Sequence, residues 1–126
     1  MSSLSLKHLD SATVEELLED YIRVSLRQHD FSLDGDFHAF NATVPRQIAL
    51  EAELKRRDGD QRRALLRLFD HPKMQVQLNA ARATRSAAPE ASRRKLQEIA
   101  ESRYYPMAAD AGMSLHAWDQ GIWKPD

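Results

Sequence analysis

The chain has 126 residues, 42% hydrophobic and 29% charged, with 18 Lys and Arg against 19 Asp and Glu for a net charge of −1. That length suits one domain, residues 1–126, and a composition this balanced excludes both a disordered chain and a membrane protein. Cysteine is absent, which removes disulfides, thiolate nucleophiles and Cys-based zinc or iron–sulfur centres. The longest apolar runs are three residues, as in Ile48-Ala49-Leu50. A signal-peptide core needs about 7–15 and a spanning helix about 20, so the expected setting is the cytoplasm, with no membrane contact.

In chain order, Thr13-Val14-Glu15-Glu16 is a capping box. Behind it Val14, Leu17, Leu18, Tyr21, Ile22, Ser25 and Leu26 draw one stripe, which predicts a helix over 14–29. Asp34-Gly35-Asp36 and Asp58-Gly59-Asp60 read as helix ends, each glycine taking a left-handed turn and each second aspartate capping the next helix. Between them Phe37, Phe40, Val44, Ile48 and Leu54 keep helical spacing across Pro45, which predicts a kinked helix or two short ones. Leu65, Leu66, Leu68 and Phe69 predict a short helix over 62–70, stopped by His71-Pro72. Val76, Asn79, Ala80 and Ala83 mark a fourth helix, and Pro89 opens another through Leu96, Ile99 and Ala100. Pro106 opens the last, with Ala108, Ala111, Leu115 and Trp118 on one stripe and Gly121 closing it. No segment alternates as a strand would, so the fold is expected to be all-α with about six helices. The parts are an N-terminal helical stretch over 14–57 and helix pairs over 60–126.

Leu65, Leu68 and Phe69 recur as Leu96, Ile99 and Ala100, and Val76, Ala80 and Ala83 recur as Ala111, Leu115 and Trp118. This degenerate repeat suits an α-α superhelix or a small helical bundle. Leu65-Leu66, His71-Pro72, Val76, Ala80-Ala81 and Pro89 resemble a HEAT-type repeat, with Lys73 where a polar cap is usual and Gln77 where an arginine is usual. With Ala111-Gly112-Met113, Leu115, Trp118, Gly121 and Lys124-Pro125, the stretch 60–126 resembles a small bacterial family, the domain-of-unknown-function family numbered two thousand and nineteen. The resemblance implies a HEAT-like fold and supplies no activity.

Four groups of side chains are candidates for chemistry. His29, Asp34, Asp36 and His38 are the densest set of metal-ligand types, but their spacing fits no known metal motif; the expectation is capping aspartates and no metal or cofactor. Ser114, His116 and Asp119 point to different faces of one helix and make no relay. Trp123 is a candidate partner anchor, or packs back on the chain with Trp118. Tyr104-Tyr105 mark a four-residue insertion within the second repeat, the difference between the offset of 31 for its first part and 35 for its second.

The basic group is Arg56, Arg57, Arg62, Arg63, Arg67, Arg93 and Arg94. The net charge of −1 hides a polarity: residues 1–54 hold 4 basic and 10 acidic side chains, residues 55–103 hold 13 and 6, and residues 104–126 hold 1 and 3. The favoured function is a non-catalytic protein-binding module, adaptor or immunity-like, whose partner is another protein. The second reading is a nucleic-acid binder or base-processing enzyme using the basic helices of 55–103. The polarity also suits head-to-tail self-association, a homodimer included.

Overall fold

The computed structural model describes residues 6–126. Among the described residues every regular element is helical. Two are 3-10 segments, η1 (Leu6–Ser11) and η2 (Gln61–Asp70), and five are α-helices: α1 (Val14–Leu33), α2 (Phe37–Arg56), α3 (Met74–Ala83), α4 (Pro89–Glu101) and α5 (Met107–Asp119). The chain is all-α, as its periodicity implies. It divides into two compact units, one ending at Ala64 and one beginning at Leu65.

In the first unit the Thr13 capping box is complete: Glu16 N–H donates to Thr13 Oγ1 at 3.0 Å and Thr13 N–H to Glu16 Oε1 at 2.8 Å. α1 runs four residues beyond the expected end, because nothing stops it before Gly35, whose φ of +70° supplies the left-handed turn. Asp36 then caps α2 by accepting from Ala39 N–H at 3.0 Å. Of the two outcomes expected at Pro45, two short helices do not occur: α2 is one helix of 20 residues that runs through the proline. A mid-helix proline costs about 3 kcal/mol or more. Here Pro45 lies exposed, so the carbonyl it leaves unbonded can reach water. Packing on both sides of it offsets the rest: Thr43 bonds α1 before the proline, and Arg46, Gln47, Leu50 and Leu54 pair or bury after it.

The contact between α1 and α2 is apolar at Leu17, Leu18, Leu50 and Leu54 and polar along the rest. Tyr21, fully buried, donates its hydroxyl to Glu51 at 2.6 Å. Gln47 donates to the same carboxylate at 3.2 Å, and Gln28 donates to Gln47 at 2.7 Å and to Thr43 at 3.0 Å. Asp20, also fully buried, accepts from Arg46 Nε at 2.7 Å. Apart from Tyr21, which lies on the apolar stripe of α1, nothing in helical periodicity distinguishes these polar residues from surface ones.

The short helix expected over 62–70 is present as a 3-10 segment. Arg62, Leu65 and Leu68 are all buried. Their spacing of three aligns them on a helix of three residues per turn, and on an α-helix they would fan apart.

The second unit is built on α3, α4 and α5. Its core joins Leu78 and Ala81 of α3, Leu96 and Ile99 of α4, and Met107, Ala111 and Leu115 of α5, with Phe69 and Trp118 half-buried against it. The turn before α3 departs from the HEAT pattern at Lys73 and Gln77, and the local hydrogen bonds compensate. Lys73 N–H donates to His71 Nδ1 at 3.0 Å, and Gln77 reaches back to the His71 carbonyl at 2.7 Å. After α5, Gly121 at φ +71° turns the chain, and the N–H groups of Ile122 and Trp123 both donate to the Ala117 carbonyl.

Candidate functional site

The basic residues that cluster in sequence do different jobs in the structure. Arg56 and Arg57 converge on one carboxylate, Glu53, at 2.5 Å and 2.6 Å from its Oε2. Arg57 also donates to the carbonyls of Leu9 at 3.0 Å and Ala12 at 2.8 Å, which ties the chain before α1 to the end of α2. Arg62 is buried and grips Asp60 with two hydrogen bonds, at 2.8 Å and 2.6 Å. Asp60 also accepts from the Arg62 backbone N–H at 3.3 Å, so it caps η2 as expected while holding the Arg62 side chain. Arg93 stacks on Trp118 and pairs with Asp119. Arg63, Arg67 and Arg94 are exposed, and of these Arg63 and Arg94 make no ion pair with any described residue.

Glu53 is almost enclosed, and the Arg56 hydrogen bond, joined by Arg57, holds its carboxyl below the usual carboxylate range against the opposing effect of burial. A carboxylate whose folded value is depressed stabilises the fold at pH above its unfolded value, and that contribution is lost as pH falls through the folded value. Acidification between about pH 5 and 3 is therefore expected to destabilise the chain more than a Glu53→Gln variant. Urea melts at a series of pH values check this, and parallel curves would exclude the role of Glu53.

Trp123 is half-buried. Its ring lies edge-on to Trp118 with centroids 5.3 Å apart, and the Arg85 guanidinium sits 4.1 Å above it. The tail thus packs back on α5, one of the two placements expected for it. Tyr104 and Tyr105 are exposed.

The four metal-ligand candidates stay dispersed: Asp36 caps α2, and Asp34 and His38 are exposed. Among the described residues no three His, Asp or Glu side chains converge at metal-binding separations. Ser114 is buried, His116 exposed and Asp119 paired with Arg93, so these three form no relay. No helix among the described residues is long and apolar enough to cross a membrane.

One further surface carries neither a charge cluster nor a motif. Phe37 and Ile48 on α2 are 66% and 58% exposed, and Leu33 at the end of α1 is 74% exposed. Phe37, Asn41, Val44 and Ile48 follow the i, i+4, i+7, i+11 spacing of a single helix face. No acidic residue occurs between Phe37 and Leu50, and the one arginine there, Arg46, is committed to Asp20. The signal is present in the sequence as helical spacing of apolar residues, but spacing alone reads as core, and Phe37 and Ile48 face outward.

The profile of the family described as Domain of unknown function (DUF2019) matches residues 15–119, which takes in the first helix pair as well as the second half. The chain is similar to the protein RPA1889 from Rhodopseudomonas palustris CGA009, known from its crystal structure. The two are 41% identical and superpose with a TM-score of 0.90, over 94% of this chain and 98% of that one. No curated protein matches.

Proposed function

We infer that this chain, which belongs to the family described as Domain of unknown function (DUF2019), is a non-catalytic module that binds another protein. The observation that carries this reading is the outward face of α2. Its exposed Phe37 and Ile48, with Leu33 beside the turn, form an apolar and almost uncharged strip of a kind soluble chains rarely leave bare without use. Its length of three helical turns fits a partner helix with its own apolar stripe, laid along α2. An adaptor or immunity-like role in the bacterial cytoplasm follows, in which the module covers a partner's working surface. The scaffold is read as HEAT-like, with α3 packed on α4 and α4 on α5; the proline turn at His71-Pro72 and the buried alanines of α3 support that.

The test is capture of a stoichiometric protein partner from source-cell lysate by the wild-type chain and by a Phe37→Glu, Ile48→Glu double variant. The wild type is expected to retain one partner and the variant to lose it, with melting temperatures equal within a few degrees because both positions are exposed. Retention by the double variant, or no stoichiometric partner at all, overturns the reading. The exposure of Arg63 and Arg94 favours nucleic acid as the second reading. Duplex retention that falls steeply with salt and vanishes in an Arg63→Glu, Arg94→Glu variant would select it instead.

A further inference from the structure

A second site lies wholly within the unit that begins at Leu65. Arg82 at the end of α3, and Asp110, Met113, Ser114 and Ala117 of α5, line a cleft of about 310 Å³ whose far wall is Trp123. The wall is fixed. The Arg85 guanidinium lies on the Trp123 ring while its Nε donates to the Arg82 carbonyl at 2.9 Å, and the Trp123 N–H is held by Ala117.

The charges in this cleft are unusual. Arg82 and Asp110 face the same space, yet neither forms an ion pair with the other or with any described residue. Ser114 of α5 is 7% exposed as a residue, while its hydroxyl bonds to no described residue and keeps access to solvent. A hydroxyl that opens to solvent and is not engaged by the chain is available to donate to a bound acceptor. Opposite charges held apart across a cleft suit a ligand carrying the complementary pair: an anion for Arg82 and Ser114, and an N–H donor for Asp110. Met113, Ala117 and Trp123 supply apolar contact beside them.

We propose that this cleft binds the C-terminal residue of a peptide whose last side chain is apolar. The free carboxylate meets Arg82 and the Ser114 hydroxyl, the amide N–H meets Asp110, and the side chain rests on Met113 and Trp123. The cleft is at the small end for ligand sites and lies open, with Met113 69% exposed at its rim. A free amino acid would stay half solvated there, whereas a chain end can continue over the rim. The proposal extends the protein-binding reading to a named partner chemistry and stands on residues separate from α2.

The experiment titrates the full chain with N-acetyl-Gly-Ala-Leu bearing a free carboxylate, following the Trp123 indole N–H resonance. A saturable shift is expected, weakened about tenfold or more by the C-terminal amide of the same peptide and by Arg82→Gln, and less by Asp110→Asn. Arg82 is exposed, so unchanged melting is expected for its variant and separates lost binding from lost folding. The absence of a saturable shift, equal binding of the amide, or free leucine binding as tightly as the peptide would each overturn the proposal. The Phe37→Glu, Ile48→Glu variant is titrated alongside and should bind the peptide normally, so that failure at one surface is distinguished from failure at the other.

Discussion

Replacing Asp20 with alanine is expected to cost about 3 kcal/mol of folding stability, at the low end of the range for breaking a buried ion pair. Asp20 is fully buried, and its carboxylate is held by Arg46 Nε at 2.7 Å and Nη2 at 2.6 Å, with Arg23 3.6 Å from the other oxygen. The Nη2 contact is close enough for ion pairing but too poorly directed to count as a hydrogen bond, so Nε is the donor. The variant would leave the Arg46 charge without its partner in a largely enclosed place. Because 20% of the Arg46 side chain reaches the surface, water recovers some of that loss, which is why the low end applies. The pair itself adds little over an apolar one of equal size. An Asp20→Leu, Arg46→Met double variant is therefore expected to recover most of the stability. Urea denaturation followed by circular dichroism decides it, and a single-variant loss below about 1 kcal/mol would show that the pair is already hydrated.

Leu96→Ala should be comparably damaging, at about 2–5 kcal/mol, through a different cause. Leu96 is fully buried on α4 in the cluster with Leu78, Ile99, Met107 and Leu115. Truncation removes its transfer free energy and leaves a cavity, because the side chains around it belong to three helices and cannot all close in. A fall in Tm on the order of 10 °C is expected. Gln97→Ala, one residue along and exposed, should change stability by no more than about 0.5 kcal/mol. Similar losses for the two would mean that α4 is not packed as described.

How much of the fold is legible in the sequence depends on which forces leave a periodic trace. Apolar burial does, so α1, α3, α4 and α5 can be placed from spacing, as can the Thr13 capping box and the turns at Gly35 and Gly121. Polar burial does not. Asp20, Gln28, Thr43 and Glu53 are buried, and the partners that the first three meet across the α1–α2 contact are 15 or more residues away, so their spacing holds no sign of it. The same blindness affects the arginines. Arg57 and Arg62 read as cations facing solvent, but one ties two carbonyls near η1 and the other is buried on Asp60. Pro45 leaves a kinked helix and two short ones both open in the sequence, because a local rule about donors cannot register the packing on either side that keeps α2 continuous. The α2 surface is half legible: its residues are plainly apolar, and only three-dimensional placement separates Ile48, outside, from Leu50, inside.

The hydrogen-bonded seam between α1 and α2 has a bearing on how this hairpin finds a single arrangement. Leucines facing leucines tolerate a slide of one helix along the other by a turn, about 5.4 Å, because one greasy neighbour replaces another. Tyr21 with Glu51, Gln28 with Thr43 and Gln47, and Asp20 with Arg46 tolerate no such slip, since each donor would lose its acceptor at the same moment. The seam acts as a register lock, comparable to a buried asparagine that fixes the alignment of a coiled coil. Swapping it wholesale for aliphatic residues should therefore give a hairpin that melts later yet populates more than one alignment, with broadened amide resonances along α2.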